Sequence, residues 1–276
     1  MADSSDEVLF RLFNNSGFPY QIGVRRQIER TQSEHGWLID TEEYRWQHPF
    51  SDESGFIDLV ASHYGLVVSL VIECKRVKLG GKWLFLTPHG HTSEQTRLSA
   101  LCTQIKGPGR LRSLRWCDIY FNPPSPESAY CLVHSQDEKN PLLERITDGL
   151  LPSVESIGHK DFSLKPKIHH EPRLFVPLIV TNAALYTAEF DPEEVDMTSG
   201  RLPEGKCTFN EVPLIRFRKS LTSHFPRGDF RQTGDRGVLN LRSAENERTV
   251  LVANSESLTE TLKSLRTTGP DGVIVE

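Results

Sequence analysis

Two short apolar runs that contain charged residues constrain the fold of this chain more than any other feature. The first run, residues 56–61, has a carboxylate at its middle, and the second, residues 67–72, continues directly into Glu-Cys-Lys-Arg. Val, Ile and Leu at this density over so few residues are typical of buried strands. Residues 63–66 between the runs are short enough for a tight turn, so the segment predicts a β-hairpin.

The charged side chains of this predicted hairpin fall on one face. Side chains alternate across a strand with period two, so Glu73 and Lys75 share a face while Cys74 points the other way. A turn centred on residues 65–66 would place Asp58 directly opposite Glu73. A slip of one residue would break this arrangement, because it would move every side chain of one strand to the other face.

The paired carboxylates Asp58 and Glu73 need a positive charge nearby, because two negative side chains held side by side repel each other. A hard divalent cation with oxygen ligands, Mg²⁺ or Mn²⁺, meets that need. Lys75 would then lie beside the metal, where it could orient or deprotonate a water molecule or bind a phosphate oxygen. The alternative is an ordinary amphipathic hairpin with a surface Glu–Lys pair. The in-phase carboxylate on the preceding buried strand favours the metal site.

The pattern Ile57-Asp58, a gap, and then Glu73-Cys74-Lys75 resembles the motif of the PD-(D/E)XK nuclease superfamily, with Ile57 in place of the usual proline. The resemblance implies an α/β fold with a restriction-endonuclease-like core, in which helices flank a central mixed β-sheet. It also implies Mg²⁺ (or Mn²⁺) held by Asp58, Glu73 and the backbone carbonyl of Cys74. In the same resemblance Lys75 positions the attacking water.

A helix is predicted over residues 20–33, because a Gly-Phe-Pro start signal precedes it and a glycine follows it. Glu29 lies seven residues after Ile22 and shares its apolar face. A carboxylate on an apolar face needs a partner. In the superfamily the first helix often supplies an acidic residue to the metal, so Glu29 is a candidate ligand and catalytic residue. The alternative is a helical ion pair of Glu29 with Arg25 or Arg26.

Two groups of basic residues are candidate contacts to nucleic-acid phosphates. The chain has a formal net charge of −5, so a nucleic acid would have to bind a local basic surface. One group lies in residues 97–116, for which a solvated loop or a paired helix is the alternative. The other lies in residues 214–219, where an exposed strand face is the alternative. The candidates are Lys106, Arg110, Arg112, Arg115, Arg216 and Arg218, with Lys219 beside them.

The rest of the chain is predicted to complete the α/β domain. Residues 142–151 are predicted to form a helix. The resemblance implies a helix that packs on the sheet after the hairpin; if residues 142–151 supply it, residues 80–130 are an inserted segment and a source of substrate specificity. Residues 174–182 form a strand in which Pro177 should face an edge or a bulge, because proline lacks a ladder donor. The segments VTNAALY and VPLIRFRKS resemble the C-terminal half of predicted restriction-endonuclease-like proteins.

Length and composition set the broad class. The chain has 276 residues, which suits a single domain over residues 1–276 with a sizeable insertion. No apolar run approaches the ~20 residues that cross a bilayer, so a membrane partner is not expected. The 5 cysteines lack metal-ligand spacing and fit reduced thiols. A cytoplasmic location is therefore expected.

These observations predict a metal-dependent endonuclease that hydrolyses phosphodiester bonds in a nucleic acid, with DNA as the expected substrate, in restriction, phage defence or repair. A nucleic-acid-binding or assembly module that keeps the nuclease fold without the chemistry stays open, and predicts salt-sensitive binding without turnover. A protein-interaction domain with a structural Glu–Lys pair also stays open. A homo-oligomer or a defence-complex partner is compatible with the enzyme. The set of Asp58, Glu73 and Lys75 favours the enzyme.

Overall fold

A central mixed β-sheet with helices on both faces organises the chain, as the sequence predicts. The computed structural model of the chain describes residues 5–88, 94–105, 112–133, 142–164, 173–221, 223, 225 and 246–267. Within these residues, no helix combines the length and the apolar character that a membrane span requires.

The α-helices account for most of the chain that flanks the sheet. In chain order they are α1 (Ser5–Asn15), α2 (Phe18–Arg30), α3 (Gln32–His35), α4 (Leu142–Leu164) and α5 (Leu258–Ser264). Together α2 and α3 occupy the predicted helix, which ends at Gly36 in the left-handed conformation with φ of 78°. A side chain at Gly36 would also collide with the rings of His63 and Tyr64, so this position requires glycine.

The β-strands of the described residues belong to two sheets. In chain order they are β1 (Trp37–Gln47), β2 (Ser54–His63), β3 (Val68–Lys75), β4 (Lys82–Pro88), β5 (Gln95–Ile105), β6 (Arg112–Ser125), β7 (Glu127–Ser128), β8 (Cys131–Val133), β9 (Arg173–Thr181), β10 (Ala184–Phe190), β11 (Cys207–Glu211), β12 (Leu214–Ser220), β13 (Glu247–Asn254) and β14 (Arg266–Thr267).

The central sheet has the spatial order β1-β2-β3-β9-β13-β12-β7. Strands β1, β2 and β3 form an antiparallel meander, while β9 lies parallel to β3. A parallel neighbour needs a crossover connection, and α4 provides it. A second sheet, of order β11-β10-β4-β8, lies beside the first.

Two apolar clusters hold the helices against the two faces of the central sheet. On one face Val24 and Ile28 of α2 and Leu258 and Leu262 of α5 are buried against it. On the other face the in-phase apolar residues of α4 are buried, which confirms the predicted packing of this helix; they include Leu143, Ile146, Leu150, Leu151 and Val154. Burial of such side chains stabilises the fold by about 1.5–3 kcal/mol each.

The predicted inserted segment contributes to the core. It lies between β3 and α4, but its strands β5 and β6 pair with each other, and β5 also pairs with β9. Trp116 and Leu101 of this hairpin are fully buried in the cluster that contains α4. The segment is therefore part of the hydrophobic core of the domain.

Pro177 lies in the middle of the central strand β9. On one side it is paired with Val71 of β3. On the other side β5 pairs with residues 173–175 and β13 with residues 178–181. Pro177 thus falls between two partner strands, where its missing N–H removes no ladder hydrogen bond. The predicted edge or bulge was wrong, because β9 is a central strand. The physical requirement for proline is still met, because no ladder hydrogen bond is lost at this position.

Candidate functional site

The β2–β3 hairpin has the register that the sequence predicts. Leu59 pairs with Ile72 and Val60 with Val71, and the pairing ends at the first of these pairs. Asp58 and Glu73 are the next residues in the same register. The charged positions therefore come together where the two strands separate.

The carboxylate of Asp58 occupies the place of the next ladder contact. Its Oδ2 atom accepts a hydrogen bond of 2.7 Å from the backbone N–H of Cys74. The N–H and C=O of one strand residue point to the same side of the strand. The carbonyl of Cys74 therefore faces β2 as well, so backbone and side-chain oxygens are directed into the same gap.

Burial makes both carboxylates of the site hard to ionise. Loss of solvent raises the pKa of Asp58 to about 6, against the opposing effect of the Cys74 N–H. Burial also raises the pKa of Glu73 to about 7, and the negative charge of Asp58 adds to this effect. The ammonium of Lys75 lowers the pKa of both groups, which places it close to the pair. A further positive charge at this position would favour the ionised forms.

The polar groups of the site are free to bind something else. Glu73 and Lys75 are half-buried, and neither side chain makes a hydrogen bond or an ion pair with any residue in the described ranges. The surface Glu–Lys pair that the sequence left open is therefore not formed. Among described residues, Asp58 Oδ1 also has no hydrogen-bond donor.

Glu43 on β1 is the acidic residue that acts on this pair, and sequence reasoning missed it. It lies between Glu42, which pairs with Leu59, and Tyr44, which pairs with Ile57, so it lies opposite Asp58. Its negative charge raises the pKa of Asp58 and, more weakly, that of Glu73.

The backbone of Glu43 is unusual, with φ of 48° in the left-handed region. The buried side chain of Gln21 on α2 donates to the carboxylate of Glu43 and, at 3.3 Å, to the backbone carbonyl of Asp58. Gln21 on the inner face of α2 was the signal that could have indicated a polar partner near the site, because a buried glutamine side chain needs hydrogen-bond partners. It did not indicate which carboxylate would be the partner.

The structure places Glu29 in a helical ion-pair network. Its carboxylate lies 2.9 Å from Arg25 Nε and 3.4 Å from Arg26 Nη1. It is not among the charges that shift the pKa of Asp58 or Glu73. Glu29 thus makes the helical ion pairs that were the alternative to a role as metal ligand. The residue of α2 that contacts the site is Gln21.

A cleft of about 430 Å³ opens beside the two charged residues of β3. Its walls come from the ends of β1, β2 and β3 and from one face of α4. The lining residues that matter for binding are Glu73, Lys75, Trp46, Phe56, Arg145 and Gly149. The cleft thus gives an outside molecule access to the carboxylate of Glu73 and the ammonium of Lys75.

Arg216 does not line this cleft, and the prediction that it contacts nucleic acid was wrong. Its side chain is fully buried. It donates hydrogen bonds to the carbonyls of Arg97 and Phe121, at 3.1 and 2.5 Å, and to Ser125 Oγ. Burial lowers its pKa to about 10. The role of the side chain is structural, because it donates hydrogen bonds to oxygen atoms near the end of β6.

The neighbouring basic residues of β12 are also engaged. Arg218 Nη2 lies 2.8 Å from Glu247 and 4.0 Å from Asp118, and Lys219 forms an ion pair with Glu144 of α4. An exposed strand face was the alternative to nucleic-acid contact for these residues. In the structure, these basic side chains are paired with carboxylates.

The other basic candidates fall in or near β6. Arg115 is a half-buried residue within that strand, opposite Cys102 of β5, so it is not in a loop or a helix. Arg112 begins β6. Lys106 and Arg110 lie outside the described residues, where the structure gives no account of them.

The donor set of the site fits a hard divalent cation. In the described part of the chain, no three His, Cys, Asp or Glu side chains are close enough to enclose an ion by themselves. Mg²⁺ does not need such an enclosure, because proteins usually bind it with one or two carboxylates and leave positions for water and phosphate. The two carboxylates with raised pKa values and the adjacent carbonyl of Cys74 meet this requirement.

Comparison of this chain with protein-family models, with curated proteins and with solved structures gave no match.

Proposed function

We propose that this chain is a metal-dependent endonuclease with a restriction-endonuclease-like core, related to the PD-(D/E)XK superfamily. The observation that carries the proposal is the convergence of Asp58, Glu73 and Lys75 where the β2–β3 ladder ends, with Glu73 and Lys75 lining an open cleft. Two hard-to-ionise carboxylates beside an ammonium that pairs with no described residue suit a site completed by a cation and a phosphate. An interaction domain would not require this arrangement.

The order of the elements supports the same proposal. Helix α2 precedes the meander of β1, β2 and β3, and α4 packs on the sheet before β9 joins it parallel to β3. The resemblance implied a helix in this role, after the catalytic hairpin and an inserted segment. The site lies at the end of β3, beside α4, so the crossover helix forms one wall of the cleft.

Each residue has a defined role in the proposed reaction. Asp58, Glu73 and the carbonyl of Cys74 would hold Mg²⁺ or Mn²⁺, with Glu43 adding negative charge from β1. The bound ion supplies Lewis-acid stabilisation of the negative charge that develops on the phosphoryl oxygen. Lys75 lines the cleft, where its ammonium would orient the attacking water or bind a phosphate oxygen. The substrate in this proposal is a nucleic acid, with DNA tested first.

A cleavage assay tests the proposal. Wild type, Glu73→Gln and Lys75→Met are incubated with plasmid and with single-stranded DNA in Mg²⁺, in Mn²⁺ and in EDTA. We expect cleavage that requires the metal and falls by about 10²–10³-fold or more in each variant, as for loss of one preorganised electrostatic contact. Glu194→Gln and Lys206→Met serve as matched controls, because this pair is exposed and its ion pair joins two surface segments.

Two outcomes would contradict the assignment. Cleavage by Glu73→Gln at the wild-type rate would remove the carboxylate from the chemistry. Failure of folded wild-type protein to cleave any substrate with either metal would favour the binding module over the enzyme. Circular dichroism of each variant establishes that it is folded.

A further inference from the structure

The cleft beside Glu73 and Lys75 has an exposed aromatic side chain on its rim. Phe56 of β2 keeps 60% of its surface accessible, although it lies two residues before the half-buried carboxylate of Asp58. Ligand pockets are lined mainly by apolar and aromatic side chains, so an accessible aromatic ring at the cleft is a candidate ligand contact. Trp46, from β1, lines the same cleft but is buried. Phe56 is thus the aromatic surface that the cleft presents to a ligand.

The opposite wall presents a positive charge. Arg145 on α4 is exposed, lines the cleft, and has no hydrogen-bond or ion-pair partner among residues with a described position. Gly149, one turn later on the same helix, also lines the cleft and adds no side chain. A guanidinium without a partner among the described residues, beside an open stretch of helix, suits a bound phosphate, because arginine binds phosphate oxygens through two parallel donors.

The size and charge of the cleft distinguish between nucleic-acid forms. A volume of about 430 Å³ lies near the lower end of the ~300–1,000 Å³ range of small-ligand pockets, so it suits one nucleotide better than a duplex. Duplex binding commonly rests on about six to ten phosphate contacts. The described cations that line this cleft are Lys75 and Arg145, since Arg216 is buried and Arg218 is paired.

We infer that the cleft binds an unpaired nucleotide of a single-stranded nucleic acid. Phe56 stacks on the base and Arg145 binds a phosphate, which brings the adjoining phosphodiester to Glu73 and Lys75. Stacking on an aromatic side chain tolerates any base, so this binding selects single strands without selecting a sequence. The inference rests on the proposed function for the reaction at the phosphodiester, but the binding itself requires no cleavage.

Binding is measured by fluorescence anisotropy in EDTA, where metal-dependent cleavage does not occur. The probes are a labelled single strand of about 12 deoxynucleotides and the duplex of the same sequence, with the matching single-stranded RNA as a third arm. We expect the single strand to bind at least 10-fold more tightly than the duplex. Phe56→Ala should weaken this binding by about five- to 100-fold, the range for loss of one base-stacking contact, while Phe56→Trp should retain it.

The arginine is tested on the same probes. Arg145→Ala should weaken binding about equally for all sequences and reduce the slope of log affinity against log salt by about 0.7–1, as for loss of one phosphate contact. Phe209→Ala is the matched control, because Phe209 is 59% exposed on β11 of the second sheet, away from the cleft. It should bind as wild type does.

The outcomes separate this inference from the proposed function. Duplex binding as tight as single-strand binding, or unchanged binding by Phe56→Ala, overturns the inference even if the protein cleaves DNA. Single-strand binding that depends on Phe56 and Arg145, without metal-dependent cleavage, supports the inference and overturns the nuclease proposal. Absence of both binding and cleavage by the folded protein overturns both.

Discussion

Asp58 and the backbone of Cys74 are joined across β2 and β3 by a hydrogen bond of 2.7 Å. The bond lies at the position where the antiparallel ladder stops, immediately after the pair of Leu59 and Ile72. The Oδ2 atom therefore closes the end of the hairpin, while Oδ1 accepts no hydrogen bond from a described residue and is left for a ligand in the proposed function. This double role means that two substitutions of the same residue should give different results.

Asp58→Asn and Asp58→Ala should separate structure from chemistry. The amide oxygen of asparagine can still accept from the Cys74 N–H, so the unfolding free energy should stay within about 1 kcal/mol of wild type. Alanine leaves this N–H unpaired and should cost about 1–3 kcal/mol. If the proposed function is correct, both variants lose cleavage. Urea denaturation beside the cleavage assay measures both effects, and an active Asp58→Asn variant would contradict the ligand role.

The raised pKa values of the site should make stability depend on pH when no metal is present. The stabilising contribution of the protonated carboxyls is fully present below their ordinary pKa values of 3.8 and 4.5. It is lost as the pH rises through the folded-state values of about 6 for Asp58 and about 7 for Glu73. In EDTA, the melting temperature of Glu73→Gln relative to wild type should therefore rise between pH 5 and pH 8.

Addition of Mg²⁺ tests the cause of this pH dependence. At pH 8 the ion should raise the melting temperature of wild type, because it binds the folded state and favours the ionised carboxylates. It should have little effect on Glu73→Gln. A difference in melting temperature between the two proteins that is constant from pH 5 to pH 8 would mean that Glu73 titrates normally in the folded state.

Glu43 and Glu29 should respond differently to loss of their charges. Glu43→Gln removes a negative charge that acts on Asp58 and Glu73, so Mn²⁺ affinity at pH 7.5 should fall by several-fold. Glu29→Gln removes exposed helical ion pairs worth about 0.3–0.5 kcal/mol in stability and should leave Mn²⁺ affinity unchanged. Isothermal titration calorimetry measures both affinities. A larger loss of affinity in Glu29→Gln would restore the ligand role that the sequence suggested.

Arg216→Met should destabilise the fold by about 3 kcal/mol or more, because it removes the donor of three hydrogen bonds, of which those to Ser125 and Phe121 are buried. Arg216→Lys should recover only part of this loss, since an ammonium cannot reproduce the planar arrangement of donors. Chemical denaturation measures the cost. DNA affinity per folded molecule should not change, and a specific loss of affinity without loss of stability would return Arg216 to the nucleic-acid contacts.

The hairpin and its charged face could be predicted because their determinants are local. The length of the turn and the alternation of side chains are enough to set the register that pairs Val60 with Val71. The same holds for the helical segment that ends at Gly36, where a glycine is needed for the left-handed conformation. Periodicity likewise predicted the buried face of α4.

Glu43 could not be found in this way, because its position depends on an irregularity in a neighbouring strand. The β1–β2 register shifts between Ile39 and Thr41. Without this shift, a simple count of residues places a different side chain opposite Asp58. The sequence shows no feature at Asp40 that requires the shift, which depends on how β1 packs against α2 and β2.

Local sequence alone therefore determined the hairpin, its register, and the grouping of Asp58, Glu73 and Lys75, because these follow from the pleat of a strand and the length of one turn. Tertiary structure alone decided that Arg216 is buried and that Glu43 belongs to the site. It also decided that Arg145 forms a wall of the cleft. These three depend on which distant segments pack against each other, and that choice minimises exposed apolar surface over the whole chain.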